Sequence, residues 1–465
     1  MINNRTKYLF KNTIIFTIGN LASKLIAFFL IPLYTNVLTT KEYGTIDLVI
    51  TICTIAVPIL TLNIMEGIMR FNLDEKSNKN KITKIGILIL GYGVVIGLIL
   101  IPISQRFNQI SHLSLLIYFY VIASASSQIF LADLRGKELL LQYSIGNVLN
   151  TFLIAVLNIL FLLIFKLGLL GYLLAYAISN LVISIYAIAV GKGYLAISEN
   201  IDIVKMREML KYSIVLIPNS FMWWIMNSSD HIMVTSMIGV AANGIYAISY
   251  KLPTLISTFT GIFNQAWSYS AIKENGSTDE EKYNNSVLNH MISIVMLIGV
   301  AMMVIIKPFL KIYVQENYFE AWKYTPFLII GCVYLTLGTF MSTSYTVHKD
   351  SKGYLISGSF GALINIILNF VLIPIIGVYG AAIATCLSYI FVFIFRVFHT
   401  RKYIHYHVLT KELIIGTAAL IVIGILMYVE STIAFIIQVI IMLLVIIEFR
   451  NCWLPIFGAI NRKRY

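Results

Sequence analysis

Apolar stretches of roughly 18–26 residues alternate with short polar gaps along almost the whole chain. About fourteen can be counted, near 12–34, 44–69, 83–103, 112–133, 145–165, 170–191, 211–236, 244–271, 286–307, 324–346, 354–375, 379–399, 411–429 and 431–449. Each is long enough to cross a hydrocarbon core about 30 Å thick as a helix. No gap exceeds about 20 residues, which leaves no room for a soluble catalytic domain. The pattern predicts an all-α polytopic membrane protein.

Lysine and arginine are sorted into every second gap. With the N-terminus taken as cytoplasmic, 26 of the 34 lie on that side. Only Lys41, Arg106, Lys166, Lys307, Lys311 and Lys323 lie on the other, and Lys24 and Lys251 fall within apolar stretches. Cytoplasmic enrichment of basic residues is the expected orientation signal. An odd error in the span count would scramble it, so both termini are expected in the cytoplasm.

Composition adds exclusions. Fifty-nine per cent apolar and 12% charged residues exclude a soluble globular class. The net charge of +13 follows the positive-inside distribution, so no nucleic-acid partner is expected. Cys53, Cys332, Cys386 and Cys452 lack metal-ligand spacing and read as small core residues. No metal or cofactor is expected. The run 12–34 is long, contains Asn20 and Lys24, and is followed by no small-residue cleavage site. It therefore reads as a retained first span.

An internal repeat organises the spans. Gly168-x-x-Gly171-x-x-x-Ala175-x-x-x-Ser179, opening span six, recurs as Gly377-x-x-Gly380-x-x-x-Ala384-x-x-x-Ser388, opening span twelve. Glu42-Tyr43-Gly44-Thr45-Ile46 before span two resembles Ala242-Asn243-Gly244-Ile245-Tyr246 before span eight. Small residues at this spacing let helices approach closely in lipid. An offset of six spans gives two six-helix lobes of equal orientation with a central cavity between them, as in one class of secondary transporter. The expected divisions are an N-lobe at 1–200, a C-lobe at 201–405, and two extra spans with a tail at 406–465. Ile201–Lys211 is expected as a short interfacial helix.

Charges at bilayer depth are costly and normally face protein or water. Thr13, Thr17, Asn20 and Lys24 form one stripe on span one. Lys24 either pairs with Asp47 or Glu66 or lines a hydrated cavity, and the second reading is favoured. Span two carries Asp47, Thr51, Thr54, Pro58 and Thr61, with Glu66 and Arg70 spaced as a surface pair and Pro58 as a kink. Asn219, Trp223, Asn227 and Asp230 line span seven; Lys251, Thr254, Thr258 and Gln265 line span eight. Asp230 and Lys251 are as readily an ion pair as two separate functional groups. Trp223 can stack on a sugar or anchor at the interface. His231 reads as a packing residue, and His290, Asn147, Asn150 and Asn158 as interhelical hydrogen-bonding groups. The stripes thus fall on the first two spans of each repeat. Lys24, Asn20, Arg70, Lys251, Gln265 and Trp223 are the candidate substrate-binding residues. Asp230, Glu66 and Asp47 are the candidates for H⁺ or Na⁺ coupling. The uncompensated intramembrane charge is positive, which favours an anionic ligand such as phosphate or pyrophosphate.

Three segments resemble the polysaccharide-biosynthesis, or O-antigen, flippases of the multidrug/oligosaccharidyl-lipid/polysaccharide (MOP) exporter superfamily. They are Gly19-Asn20-Leu21-Ala22-Ser23-Lys24 through Ile31-Pro32-Leu33-Tyr34-Thr35 to Glu42-Tyr43-Gly44; Ile217-Pro218 through Asp230 to Asn243-Gly244-Ile245-Tyr246 and Lys251-Leu252; and Asn369 through Ile373-Pro374 to Gly377-Val378-Tyr379-Gly380-Ala381-Ala382. The resemblance covers most of 8–400 and implies a non-enzymatic flippase in the bacterial cytoplasmic membrane. Its implied cargo is undecaprenyl-pyrophosphate-linked oligosaccharide for O-antigen, capsule or related polymers, with polymerase and glycosyltransferases of the same pathway as partners. It carries the ligand-binding expectation onto Lys24 and Lys251. His231 departs from the basic residue that many relatives carry after the span-seven aspartate. Two rivals stay open: a cation-coupled multidrug antiporter, which would prefer acids in its cavity, and a peptidoglycan lipid-precursor flippase. A membrane glycan polymerase would need a large external loop, which the chain lacks.

Overall fold

A computed structural model describes residues 21–74, 77–106 and 111–450, without the side chains of Asn219, Trp223, Ile262, Gln265, Ala266 and Tyr269. Every apolar stretch falls on helix from residue 21 onward, and the described residues contain no strand. This is the economy that lipid imposes, since a helix satisfies its own backbone.

The chain divides into two compact units, Met1–Trp224 and Ile225–Tyr465. Unit 1 holds α1 (Leu21–Val37), α2 (Thr40–Leu60), α3 (Ile64–Asn72), α4 (Lys79–Ser104), α5 (Ser114–Gly136), α6 (Leu140–Asn158) and α7 (Gly168–Val190). The unit boundary falls inside α8 (Ile203–Met237). Unit 2 continues with α9 (Val240–Lys251), α10 (Pro253–Glu274), α11 (Glu280–Tyr313), α12 (Thr325–Val347), α13 (Ser351–Ile376) and α14 (Val378–His399). It closes with α15 (Lys411–Leu426) and α16 (Thr432–Glu448). Among the described residues, nine helices are long and apolar enough to span a membrane, and Leu21–Val37 and Thr432–Glu448 are shorter apolar helices. The expected interfacial helix at 201–211 is instead the first part of α8, with Met209 packed against Ile64, Ile68 and Ile85 in unit 1.

The repeat has a physical basis. Gly168 and Gly377 both adopt positive φ, +53° and +61°, which a side chain would strain. Three residues on, a Cβ at Gly380 would stand 2.4 Å from the backbone of Leu372, and one at Gly171 would stand 3.0 Å from the Cβ of Phe161. In each unit the second glycine thus lets a helix begin hard against the end of its predecessor. Ala175, Ser179, Ala384 and Ser388 follow on the buried faces. Glu42 serves a different end, as half of a reciprocal cap on α2. Its carboxylate accepts from the Thr39 N–H while the Thr39 hydroxyl accepts from the Glu42 N–H.

Spans two and eight are each broken in two. Pro58 cannot donate to a preceding carbonyl, and α2 ends two residues later at Leu60. Leu62 and Asn63 then turn the chain through positive φ before α3. Pro253 separates α9 from α10, and the Ser249 carbonyl accepts from the Thr325 hydroxyl. The sequence pattern shows the first interruption through Pro58 and passes over the second.

Peripheral and central positions alternate similarly in both units. Buried residues make up 17% of the apolar window of the span that includes α6 and 28% of that in α13, against 78% in α12. α6 and α13 therefore leave most of their surface uncovered by protein. α11 is the exception to a strict duplication, because α15 covers it: Cβ atoms at Gly416 and Gly299 would meet Met296 and Leu420 respectively.

Candidate functional site

In unit 1, Lys24 lies exposed on α1, and the neighbouring Ser23 hydroxyl donates to the Asn147 carbonyl of α6 at 3.4 Å. Asp47 is half-buried on α2. Asn20 lies outside the described residues, as do the side chains of Trp223 and Gln265. Trp224, next to Trp223, donates its indole N–H to the Thr51 carbonyl at 2.9 Å and fixes the middle of α8 to α2.

The Glu66–Arg70 pair is not formed. Arg70 bonds Asp74 at 2.8 Å, one turn toward the C-terminus, and both side chains are about half exposed. Glu66 instead lines a cavity of about 210 Å³ with Gln128 and Arg135 of α5 and Tyr143 and Asn147 of α6. Among the described residues, no side chain hydrogen-bonds or ion-pairs with Glu66. Arg135 and Gln128 are absent from the sequence expectations because they sit at the cytoplasmic-gap end of a span with no obvious polar stripe.

A second acid of unit 1 is wholly structural. Asp133, 2% exposed, accepts from Asn72 at 2.9 Å and Thr83 at 2.6 Å and pairs with Lys137 at 2.6 Å. Lys137 also donates to the Gly191 carbonyl at 2.9 Å. One carboxylate thus ties α3, α4, α5 and the end of α7 together.

In unit 2, Asp230 on α8 is equally buried, and its partners among the described residues are all neutral. The Tyr246 hydroxyl donates to it at 2.6 Å, the Thr385 hydroxyl at 3.1 Å and the His231 backbone N–H at 3.0 Å. Of the two readings open for Asp230 and Lys251, the ion pair is not formed. Lys251 is five residues beyond Tyr246 on α9, about 140° around the helix, and so projects away from the face that meets Asp230. It ends α9, half-buried, with no ion pair among the described residues.

The network extends beyond the residues that periodicity singles out. Asn365 of α13 donates to Thr385 at 3.2 Å and accepts from Ser229 at 3.1 Å and from Asn369 at 3.0 Å. The Asn369 side-chain oxygen is buried without a hydrogen-bond partner. Three side-chain types therefore converge here as hard oxygen donors: a carboxylate, amides and a hydroxyl. That set suits a proton or a small hard cation such as Na⁺. The signal was available in Asn365 and Asn369, one turn apart in an otherwise apolar span.

Other polar groups within the apolar stretches bond locally or across helices. His231 is buried, and its Nδ1 lies 3.1 Å from the Asn243 amide oxygen. Asn150 and Asn158 reach across helices, to Asn180 at 3.4 Å and the Tyr34 hydroxyl at 3.2 Å. His290 was expected to bridge helices, but its ring bonds the Ser286 carbonyl of its own helix. Cys53, Cys332 and Cys386 are buried free thiols; Cys452 lies outside the described residues. Arg396, at the end of α14, is 2% exposed and donates to Ser357 and to the Gly338 carbonyl.

The long apolar helices and the polar groups buried among them are those of a polytopic membrane transporter. Its fold matches solved members of the MOP superfamily. A lipid II flippase MurJ in an inward closed conformation aligns with TM-score 0.66 at 14% identity, covering 95% of this chain and 99% of that one. An inward-facing multidrug resistance MATE family transporter aligns with TM-score 0.61 at 14% identity, covering 83% and 94%. An uncharacterized membrane protein of Methanocaldococcus jannaschii is 25% identical over 414 residues, 83% of this chain and 97% of its own length. The polysaccharide biosynthesis protein family matches residues 9–269, more than half of the sequence. The chain belongs to that family.

Proposed function

We propose that this protein is a flippase that moves undecaprenyl-pyrophosphate-linked oligosaccharide across the bacterial cytoplasmic membrane by alternating access, for O-antigen, capsule or exopolysaccharide synthesis. The observation that supports this reading is a lysine, Lys24, placed on the apolar helix α1 of a polysaccharide-biosynthesis family member. An ammonium at bilayer depth needs water or an anion, and lysine holds phosphate as a point charge on a flexible stem. Transient holding is what a translocation step requires. Lys251 is a secondary phosphate contact in this reading.

The energy source we assign to cation exchange at Asp230. A buried carboxylate is costly unless compensated, and here only neutral donors compensate it. A proton or Na⁺ arriving from one side of the membrane would complete the set, and its loss to the other side would reset it. An inside-negative potential adds about 2.3 kcal/mol per anionic charge per 100 mV in the outward direction. Polymerase and glycosyltransferases of the same pathway are the expected partners.

Surface glycan in a deletion strain complemented with Lys24→Ala, at membrane levels matched to wild type, tests the assignment. Loss of display with accumulation of lipid-linked sugar is expected. Normal display would remove Lys24 from the mechanism. Sensitivity to cationic drugs in the deletion strain would favour a multidrug antiporter, and arrest of cell-wall growth would favour a peptidoglycan precursor as cargo.

A further inference from the structure

We infer that the unit 1 cavity lined by Glu66, Gln128, Arg135, Tyr143 and Asn147 is a subsite for one neutral pyranose ring of the cargo. This inference rests on the lipid-linked glycan reading above. At about 210 Å³ the cavity is smaller than the roughly 300–1,000 Å³ that drug-sized ligands occupy, yet ample for a single sugar. Its wall is mixed in a way that selects among small polar ligands. Phosphate or a uronate would bring its charge against Glu66, and an isolated amine would meet Arg135. A neutral polyol suits both, because its hydroxyls donate to the carboxylate and accept from the guanidinium and the amides. Met65, Met69 and Leu131 supply the apolar surface on which the C–H face of a pyranose rests.

The fold holds this arrangement in place. α3 starts afresh after the Leu62–Asn63 turn, and Ile64 and Ile68 are fully buried, which leaves Glu66 on the face toward the cavity. Asp133 and Lys137 lock the end of α5 on either side of Arg135. Gln128 is oriented by its bond to the Ser124 hydroxyl at 3.0 Å. Glu66 has no side-chain partner among the described residues, so its oxygens are available to a ligand. The subsite gives Glu66 a role in cargo recognition in place of ion coupling.

The test uses the full chain in proteoliposomes with two fluorescent lipids: undecaprenyl pyrophosphate bearing one N-acetylglucosamine, and undecaprenyl pyrophosphate alone. The expectation is that wild type moves the sugar-bearing lipid at least tenfold faster than the bare one. Glu66→Gln should reduce that ratio about tenfold, and an unfolding midpoint in detergent equal to wild type shows that the variant is folded. Arg135→Gln, altered at an exposed residue, should act in the same direction and serves if Glu66→Gln does not accumulate. A ratio unchanged in both variants overturns the subsite and leaves the flippase reading intact. Equal slowing of both lipids by Glu66→Gln also overturns it and returns Glu66 to a coupling or structural role. Immobility of both lipids with wild type overturns the flippase reading and the subsite together.

Discussion

Asp133 of unit 1 and Asp230 of unit 2 are buried to the same degree, 2% exposed each, yet they are solved in opposite ways. Asp133 has a lysine at 2.6 Å and two further donors, a closed set in which every charge is answered. Asp230 has hydroxyls and a backbone N–H, with no lysine or arginine paired to it among the described residues. The difference separates structure from function. A carboxylate that carries its own cation has nothing to exchange, whereas one held by neutral donors beside an orphaned amide oxygen at Asn369 can accept a cation and give it up. In the proposed mechanism unit 1 supplies Lys24 to the cargo, and unit 2 supplies Asp230 to coupling with Lys251 as a secondary cargo contact.

The largest expected effect comes from opening the closed set. Asp133→Asn should destabilise the protein by about 3–5 kcal/mol, because it strands the buried Lys137. Adding Lys137→Met should recover much of that loss. Asp230→Asn keeps shape and removes no ion pair, so thermal unfolding in detergent should show a far smaller change while transport falls at least tenfold. If Asp230→Asn unfolds the protein and Asp133→Asn spares it, the two acids have been assigned the wrong way round.

Next in size are the glycines that let the units share an architecture. Gly380→Ala forces a Cβ against the backbone of Leu372 and should cost about 1–3 kcal/mol. Gly171→Ala should cost less, since its nearest contacts at 2.9–3.0 Å are side-chain carbons rather than backbone. Equal unfolding midpoints for the two variants would show that the close approach is not tighter in unit 2.

The smallest effects belong to the exposed ion pairs. Arg70→Ala removes only its bond to Asp74 and should leave the unfolding midpoint unresolved from wild type. Asp350, between α12 and α13, is held below the usual carboxylate range by the Gly353 N–H, with Lys402 and the Tyr403 hydroxyl assisting. Its contribution is complete above the ordinary carboxylate pKa and fades as pH falls from there toward the depressed value. The midpoint difference between wild type and Asp350→Asn should therefore shrink on acidification from neutral pH to below about 4. A difference that grows on acidification would contradict that sign.

Much of the fold was legible because lipid makes hydrophobic length and lysine placement informative together. The Gly-x-x-Gly repeat was legible too, since positive φ and close approach leave glycine little competition at Gly168, Gly171, Gly377 and Gly380. Pairings were not. Arg70 and Lys251 each had an acid at a suitable separation, but helix spacing offers neighbours in both directions and cannot say which face turns inward. Asp74 took Arg70, and Tyr246 bonds Asp230, where an ion pair with Lys251 was one of two open readings. Thr385, which bonds Asp230, and Asn365, which bonds Thr385, lie more than 130 residues from Asp230 and form no stripe with it, so only tertiary structure brings them together. Arg135 looked like another orientation-setting cation, and its cavity is invisible to periodicity.

Transport of a fluorescent undecaprenyl-pyrophosphate-linked disaccharide into the opposite leaflet of proteoliposomes, compared between wild type and Lys24→Ala at equal protein density, tests the central claim most directly. Wild type should move the lipid, and the variant should retain no more than about a tenth of that rate. Equal rates in the two would contradict an anion-handling ammonium on α1.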